Sequence, residues 1–221
     1  MQPTTFDLFA DNEPVQQPRA EQIGEQSWVL RGFALPQVEQ LLTELEAILA
    51  AAPLRHMVTP GGFSMSVGTS SCGQLGWITD RSGYRYSSVD PLSGLAWPSM
   101  PAVFADLAHE AAERAGFPGF QADSCLINQY VPGAKMSLHQ DRDERDYGAP
   151  IVSVSLGLAA MFQLGGLQRS DRPLRVPLLH GDVMVWGGVD RLRFHGVLPL
   201  KQGMHPVMGP QRINFTLRKA G

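Results

Sequence analysis

Two stretches of the chain repeat their apolar positions with a helical period. Val38, Leu41, Leu42, Leu45, Ile48 and Leu49 recur at three- and four-residue steps between Pro36 and Ala52, with Glu39, Glu44 and Glu46 interleaved, and Pro53 stops the run. This spacing predicts an amphipathic helix. A second helix is predicted from about Pro101 to Ala115, with proline in its first turn, Gly116 at its end, and Val103, Phe104, Leu107, Ala111 and Ala115 along one face. Beyond Gly116 the pattern changes to short runs separated by turns: SCLINQY, IVSVSLGL, MFQL, VPLL, VMVW, LRFHGVL and RINFTLR. About seven short strands after two helices predict a mostly β fold, a sandwich or barrel with flanking helices packed outside it.

Alternation within two of these strands is informative. Arg212, Asn214, Thr216 and Arg218 share one face of the last strand, and Ile213, Phe215 and Leu217 share the other. Leu126, Asn128 and Tyr130 likewise share a face. Helices covering one side of a sheet leave a polar side to line either solvent or a cavity, and the pattern alone does not choose.

The segment 53–98 has no helical period, and its seven glycines and five aromatics (Phe63, Trp77, Tyr84, Tyr86, Trp97) suit short twisted strands or a mobile flap. Residues 1–25, acidic and rich in Pro and Gln, read as a flexible arm, leaving 26–221 as one domain with its barrel core at 120–221. The beginning has neither the basic nor the apolar region of a signal peptide. A cytoplasmic protein is the expectation.

Composition adds bounds. Of 221 residues, 43% are hydrophobic and 18% charged, which excludes general disorder. No apolar run approaches the ~18 residues of a membrane span. The net charge of −3 hides an asymmetry: 9 Lys/Arg against 18 Asp/Glu in residues 1–165, then 9 against 3 in 166–221. Such a basic segment marks a basic face or a site for an anion. Cys72 and Cys125, far apart and without a CxxC, read as free thiols in a reducing compartment.

Candidate chemistry centres on SLHQD. His139 and Asp141 lie two apart, so in an extended segment both side chains point the same way and can reach one metal ion. His195, in RFHG, supplies a second histidine. Two histidines and a carboxylate on one face of a metal leave three adjacent positions open, the facial triad of non-haem Fe(II) oxygenases; zinc more often takes a closed set of ligands. His180-Gly181-Asp182 repeats the spacing but reads as turn chemistry, a hairpin connection between VPLL and VMVW. His56, His109 and His205 have no carboxylate at ligand spacing. An Fe(II) centre of this kind needs a co-substrate such as 2-oxoglutarate, whose far carboxylate calls for arginine. Arg212 and Arg218 on one strand face, with Asn128 and Tyr130 nearby, would form that clamp; a solvated C-terminal charge is the competing reading of Arg218.

In combination these motifs resemble the bacterial form of the AlkB family, Fe(II)/2-oxoglutarate-dependent dioxygenases that repair alkylated nucleic acids. MVTPGG, LGW, CLINQY, PGAK, SLHQD, APIVSVSLGL, HGDV, VWGG, FHG and the terminal arginine strand occur in order along nearly the whole chain. The resemblance implies a double-stranded β-helix (jelly roll), with Fe(II) held by His139, Asp141 and His195. It implies 2-oxoglutarate on Asn128, Tyr130, Arg212, Asn214 and Arg218, and O2 as oxidant. It also implies an N-linked methyl oxidised to a hemiaminal that releases formaldehyde. Single-stranded DNA bearing lesions such as 1-methyladenine or 3-methylcytosine is the implied partner, with RNA and double-stranded DNA left open and no obligate protein partner. Segment 53–98 becomes a nucleotide-recognition flap. There Trp77 stacks on the flipped base, and Asp143 favours a cationic one. Thr59, Tyr84, Lys135, Arg142 and Arg169 match positions that touch substrate or its backbone. The chain departs from the family pattern at Phe194, where tyrosine or another aromatic is usual before the distal histidine, and at Gln211 and Ile213 in the clamp strand. A same-fold oxygenase acting on a small molecule or protein, and a non-catalytic nucleic-acid-binding barrel, are the alternatives.

Overall fold

The computed structural model describes residues 19–221. In chain order it holds β1 (Arg19–Gln22), β2 (Ser27–Arg31), a 3-10 turn leading into α1 (Val38–Ala51), β3 (Gly68–Gly73), β4 (Gly76–Asp80), β5 (Gly83–Ser87) and α2 (Ala102–Arg114). Then follow β6 (Ser124–Tyr130), β7 (Met136–His139), β8 (Ile151–Gly157), β9 (Ala160–Leu164), β10 (Leu174–Leu178), β11 (Val183–Trp186), β12 (His195–Val197) and β13 (Arg212–Arg218). Both helices lie where the apolar stripes predict them.

A seven-stranded sheet, ordered β1-β2-β11-β8-β13-β6-β3, faces a four-stranded sheet, β10-β9-β12-β7, and β4-β5 form a separate hairpin. The paired strands are antiparallel, the arrangement of a double-stranded β-helix. Leu41, Leu45 and Ile48 of α1 and Phe104, Leu107 and Ala111 of α2 pack on Val152, Val154, Val185, Ile213, Phe215 and Leu217 of the large sheet. With that face taken by helices, the alternate residues of the same strands must point at the small sheet. Ile151, Met184 and Trp186 there meet Phe162, Leu164, Val176 and Val197 in a second core. The question left open by the strand alternation is therefore decided: the polar face of β13 looks inward, and Arg212, Asn214, Thr216 and Arg218 are all buried.

Several boundaries differ from the sequence expectation. Residues 1–18 of the expected arm lie outside the described residues, and Arg19–Gln22 is not an arm but a strand paired antiparallel with β2, Arg19 opposite Arg31 and Gln22 opposite Trp28. Gly68–Gly73, inside the expected flap, is an edge strand of the large sheet paired with β6. The hairpin proper has its own small core of Ala52, Met57, Ile78 and Trp97. LRFHGVL contributes only three strand residues, because a 3-10 turn at Gly188–Asp190 precedes it. The HGD turn is not a hairpin connection, since β10 and β11 belong to different sheets. It carries the chain across the sandwich, which explains its buried polar anchors. Asp182, fully buried, accepts from Arg31 Nη1 at 2.6 Å, Leu179 N at 2.9 Å and Gly32 N at 2.9 Å. His180 Nδ1 accepts the Gly157 N–H at 2.9 Å. No described helix is long and apolar enough to cross a membrane.

Two predictions follow from the packing. Phe215, 1% exposed, stacks on Phe104 with centroids 4.4 Å apart and so joins β13 to α2. Phe215→Ala should cost about 3–5 kcal/mol in urea unfolding, the range for a buried aromatic truncation. His180 is pushed down to about 4 by burial and by His205, whose ring centroid lies 4.3 Å away. The unfolded chain takes its proton near 6.5 and the folded chain only near 4, so stability falls as pH drops through that window. His180→Asn keeps an acceptor but does not titrate, and its urea midpoint should fall less between pH 7 and pH 5 than the wild type's; equal falls would assign the effect to another group.

Candidate metal centre and active site

Register brings the metal-ligating side chains together. β7 and β12 pair so that His139 and His195 are direct cross-strand partners, and the ladder is irregular between His195 and Val197. Gly196 sits at that irregularity, where an added Cβ would lie 2.6 Å from Met136 O, so only glycine lets the two strands approach. Asp141 follows β7 by two residues. Its Oδ1 lies 3.6 Å from His139 Nε2 and its Oδ2 lies 3.6 Å from His195 Nε2. One ligand atom from each of the three residues falls within 4.8 Å of the others, the one such cluster among the described residues. The His180–Asp182 repeat is absent from it.

Each imidazole is held in one tautomer. His139 Nδ1 faces Ser137 O at 2.9 Å and His195 Nδ1 faces Arg193 O at 3.0 Å. A carbonyl only accepts, so Nδ1 carries the proton and Nε2 presents its lone pair to the cluster. Burial and the neighbouring His139 lower the His195 pKa, favouring the neutral ligand form. Desolvation pulls His139 down too, but the hydrogen bond and charge of Asp141 outweigh it and raise the value. Burial would raise the Asp141 pKa; the Arg218 guanidinium and His195 hold it well below the usual range. The two histidines also differ in access, at 39% side-chain exposure for His139 and 6% for His195. His139 therefore faces the mouth of the cavity, while His195 is walled by Trp186 and Phe162, with ring centroids at 5.0 and 5.9 Å.

The two arginines of β13 divide their duties. Arg218 donates to Asp141 Oδ2 through Nη2 at 2.7 Å and Nε at 3.1 Å, fixing the carboxylate. Arg212, 1% exposed, donates Nη2 to Ser155 Oγ at 2.9 Å and lies 5.1 Å over the Tyr130 ring, while its Nε and Nη1 are buried without a hydrogen-bond partner. Asn128 Oδ1 is also unsatisfied, and its Nδ2 reaches Asn214 Oδ1 at 3.4 Å. Asn214 in turn donates to Ser153 Oγ and Val154 O at 2.8 and 2.9 Å. Arg212, Arg218, Tyr130, Asn128, Asn214 and Ser153 line one cavity between the sheets together with the metal-ligating cluster.

That donor set fits the groups expected from the sequence. Two imidazole nitrogens and a carboxylate on one side of a point leave adjacent coordination positions open, as Fe(II) oxygen chemistry requires. A buried guanidinium with two unsatisfied N–H groups and no carboxylate partner is costly unless an anion joins it. A dicarboxylate with one end at the His-Asp-His cluster and the other at Arg212 would suit both ends of the cavity.

The other site candidates lie on the hairpin and nearby loops. Trp77 and Tyr84 stack with centroids 5.7 Å apart, and Tyr84 is exposed. Trp77 Nε1 donates to Asp143 Oδ2 at 2.7 Å, so the aromatic pair leans on the loop that begins with Asp141. Thr59 Oγ1 accepts from Phe63 N at 3.2 Å in a surface turn. Exposed Lys135 is tied through its backbone to Ser66 Oγ at 3.0 and 3.1 Å, which brings the turn-bearing segment to the start of β7. Arg169 lies 5.1 Å over the Phe194 ring, and Arg142 O accepts from Tyr147 Oη at 2.7 Å. Sequence reasoning missed the rings against His195, namely Phe162 and Trp186. It also missed the link between Tyr86, counted only as one of the flap aromatics, and the charged pair Glu144 and Arg191, which needs spatial neighbours to be seen.

Comparison with known proteins agrees with this geometry. The family model described as the 2OG-Fe(II) oxygenase superfamily matches residues 26–218. The alpha-ketoglutarate-dependent dioxygenase AlkB of Escherichia coli K12 is 54% identical over 216 residues, covering 98% of both chains. The human nucleic acid dioxygenase ALKBH1 is 33% identical over 133 residues, 59% of this chain and 34% of that protein. The solved structure of OsALKBH1 superposes with a TM-score of 0.79 at 27% identity, covering 91% of this chain and all of the other. With the His-Asp-His cluster and the orphaned arginine already in place inside the jelly roll, the match along nearly the full length means that this chain belongs to the 2OG-Fe(II) oxygenase superfamily and, within it, to the AlkB dioxygenases.

Proposed function

We propose that the protein oxidatively removes N-linked methyl groups from nucleobases of the 1-methyladenine and 3-methylcytosine type. Single-stranded DNA is the proposed substrate, and the protein acts as a cytoplasmic monomer. The observation that carries this reading is the Trp77–Tyr84 aromatic pair leaning, through Trp77 Nε1 and Asp143 Oδ2 at 2.7 Å, on the loop that supplies Asp141. It gives a flat surface for an unstacked base close to the ligand cluster.

When bound, Fe(II) with 2-oxoglutarate and O2 supplies a two-electron oxidation of a C–H bond, the co-substrate leaving as succinate and carbon dioxide. The protein's own groups do the rest. His139, Asp141 and His195 would hold the metal, and Arg218 keeps the Asp141 carboxylate turned toward it. Arg212 would take the far carboxylate of 2-oxoglutarate, with Asn128 and Tyr130 beside it and Asn214 buttressing that wall. A base must leave its stack before its N-methyl can reach the cluster; Trp77 and Tyr84 supply stacking, worth roughly 1–3 kcal/mol per base. Asp143 places a negative charge where a methylated, cationic base would sit. Thr59, Lys135, Arg142 and Arg169 lie on surface segments suited to strand backbone.

Formaldehyde should be released from a single-stranded oligonucleotide containing 3-methylcytosine only when 2-oxoglutarate is supplied; parallel assays on methylated RNA and duplex DNA rank the alternatives. Absence of release beside full succinate production with a small molecule or peptide would move the protein to another substrate class. Without oxygen, Fe(II) and 2-oxoglutarate should give a weak visible charge-transfer band that His139→Ala abolishes, and an unchanged band would remove His139 from the ligand set. Arg212→Met should raise KM for 2-oxoglutarate at least about tenfold while Fe(II) binding persists, the scale expected for losing a charge-assisted pair. Trp77→Ala should lower kcat/KM on the methylated oligonucleotide by roughly 5- to 150-fold, the range that follows from the loss of base stacking.

A further inference from the structure

The hairpin touches the metal-bearing loop at two points, and the second has a different character from the first. Trp77 and Tyr86 are cross-strand partners on β4 and β5. Trp77 Nε1 donates to Asp143, and Tyr86 Oη donates to Glu144 Oε1 at 2.6 Å. Two opposed residues of one ribbon therefore grip two consecutive acids of the loop that starts at Asp141. The Asp143 contact is solvent-exposed, whereas Glu144 is 5% exposed.

Glu144 is also immobilised. Its Oε2 accepts from Arg191 Nη2 at 3.0 Å, and Arg191 fixes the same loop by donating Nη1 to Asp141 O at 3.0 Å and Nε to Ala149 O at 3.1 Å. Arg218 Nε lies 3.4 Å from Glu144 Oε1, and its Nη1 donates to Tyr86 Oη at 3.4 Å. Tyr86 thus joins a buried network whose other members hold the carboxylate and the backbone carbonyl of Asp141. A contact to a charged, desolvated acceptor is strong and does not exchange readily with water. The exposed Asp143 contact can exchange, and the exocyclic amino group of a cationic base would compete with the indole for the same carboxylate.

We infer that Tyr86 is a positioning residue that, through Glu144, keeps the Trp77 hairpin docked beside the metal ligand Asp141 while Asp143 is free to trade the indole for substrate. This rests on the reading of the hairpin as the surface that captures a base. It assigns the permanent tether to Tyr86, the cross-strand partner of Trp77 whose acceptor Glu144 is buried, and the exchangeable contact to Trp77 itself. The dock fixes where a captured base sits relative to the cluster, so its loss weakens capture before it weakens chemistry.

Tyr86→Phe deletes only the hydroxyl. In the protein without nucleic acid, the amides of residues 76–87 should exchange hydrogen about tenfold faster or more, the effect of losing one hydrogen bond to a charged group. On a 3-methylcytosine oligonucleotide, KM should rise about tenfold and kcat fall less than about threefold, a split that general destabilisation would not produce. The anaerobic charge-transfer band with Fe(II) and 2-oxoglutarate should keep its position, because Arg218 still holds Asp141. Hairpin exchange and KM both within twofold of the wild type would overturn the proposal. So would loss of the band, which would place the action of Tyr86 on the metal ligands instead. Exchange needs no substrate, so it tests the dock even if wild-type protein fails to demethylate the oligonucleotide, a failure that would count against the reading of the function alone.

Discussion

The ion pair between Arg218 and Asp141 is the constraint around which the rest is arranged. A carboxylate 9% exposed between two β-sheets would ordinarily stay protonated, since burial penalises its charge. Here the guanidinium 2.7 Å away keeps it ionised, which is the state a metal ligand needs. The same pair explains the inward polar face of β13. An arginine buried on a strand must find its partner across the cavity, and that partner sits on the loop after β7, where register has already set His139 against His195. Glu144, Arg191 and Tyr86 then satisfy the valences that the pair leaves over. Removing one member of such a group strands a buried charge, whereas the complete group is neutral and rigid.

Against this neutral hub, Arg212 is the exception that gives the cavity its chemistry. It lies on the same strand face six residues away from Arg218, yet no carboxylate reaches it, and two of its donors are unsatisfied. Burial lowers its pKa, but an arginine stays charged at neutral pH. Under the proposed function, an anionic co-substrate would complete the site and balance that charge. Binding would then remove a penalty as well as add contacts, and both effects would favour a dicarboxylate over a neutral molecule of similar size.

The fold and the metal-ligating cluster were legible in the chain for a common reason: both depend on periods. Three- and four-residue steps place α1 and α2, and the two-residue step puts His139 and Asp141 on one side. The same step gives β13 its polar and apolar faces. What the chain concealed depends on pairs without a period. Nothing local distinguishes Arg212 from Arg218, because their roles differ only in which loop lies opposite. Asp182 looked like turn chemistry, and its partner Arg31 is 151 residues away in sequence. Tyr86 read as one aromatic among several until register set it against Trp77. Arg19–Gln22 was hidden in a polar stretch because an edge strand buries little and needs no apolar face.

The charge asymmetry of the sequence acquires a physical meaning on this account. Of the basic residues in 166–221, Arg191, Arg212 and Arg218 are buried, and Arg193 is paired with Asp190 at 3.3 Å. Three of the nine are therefore interior: Arg191 and Arg218 neutralise Glu144 and Asp141 of the first 165 residues, and Arg212 is left without an acidic partner. Arg169, Arg172 and Arg175 are exposed and close together in sequence, enough to meet a few phosphates and too few to coat a strand. Affinity built on a handful of phosphate contacts falls only modestly with salt, with a slope set by the number of charges neutralised. On the proposed function, most of the discrimination would then fall to the aromatic pair and Asp143. Under the proposed function, a protein so arranged would recognise the damaged base first and the polymer second.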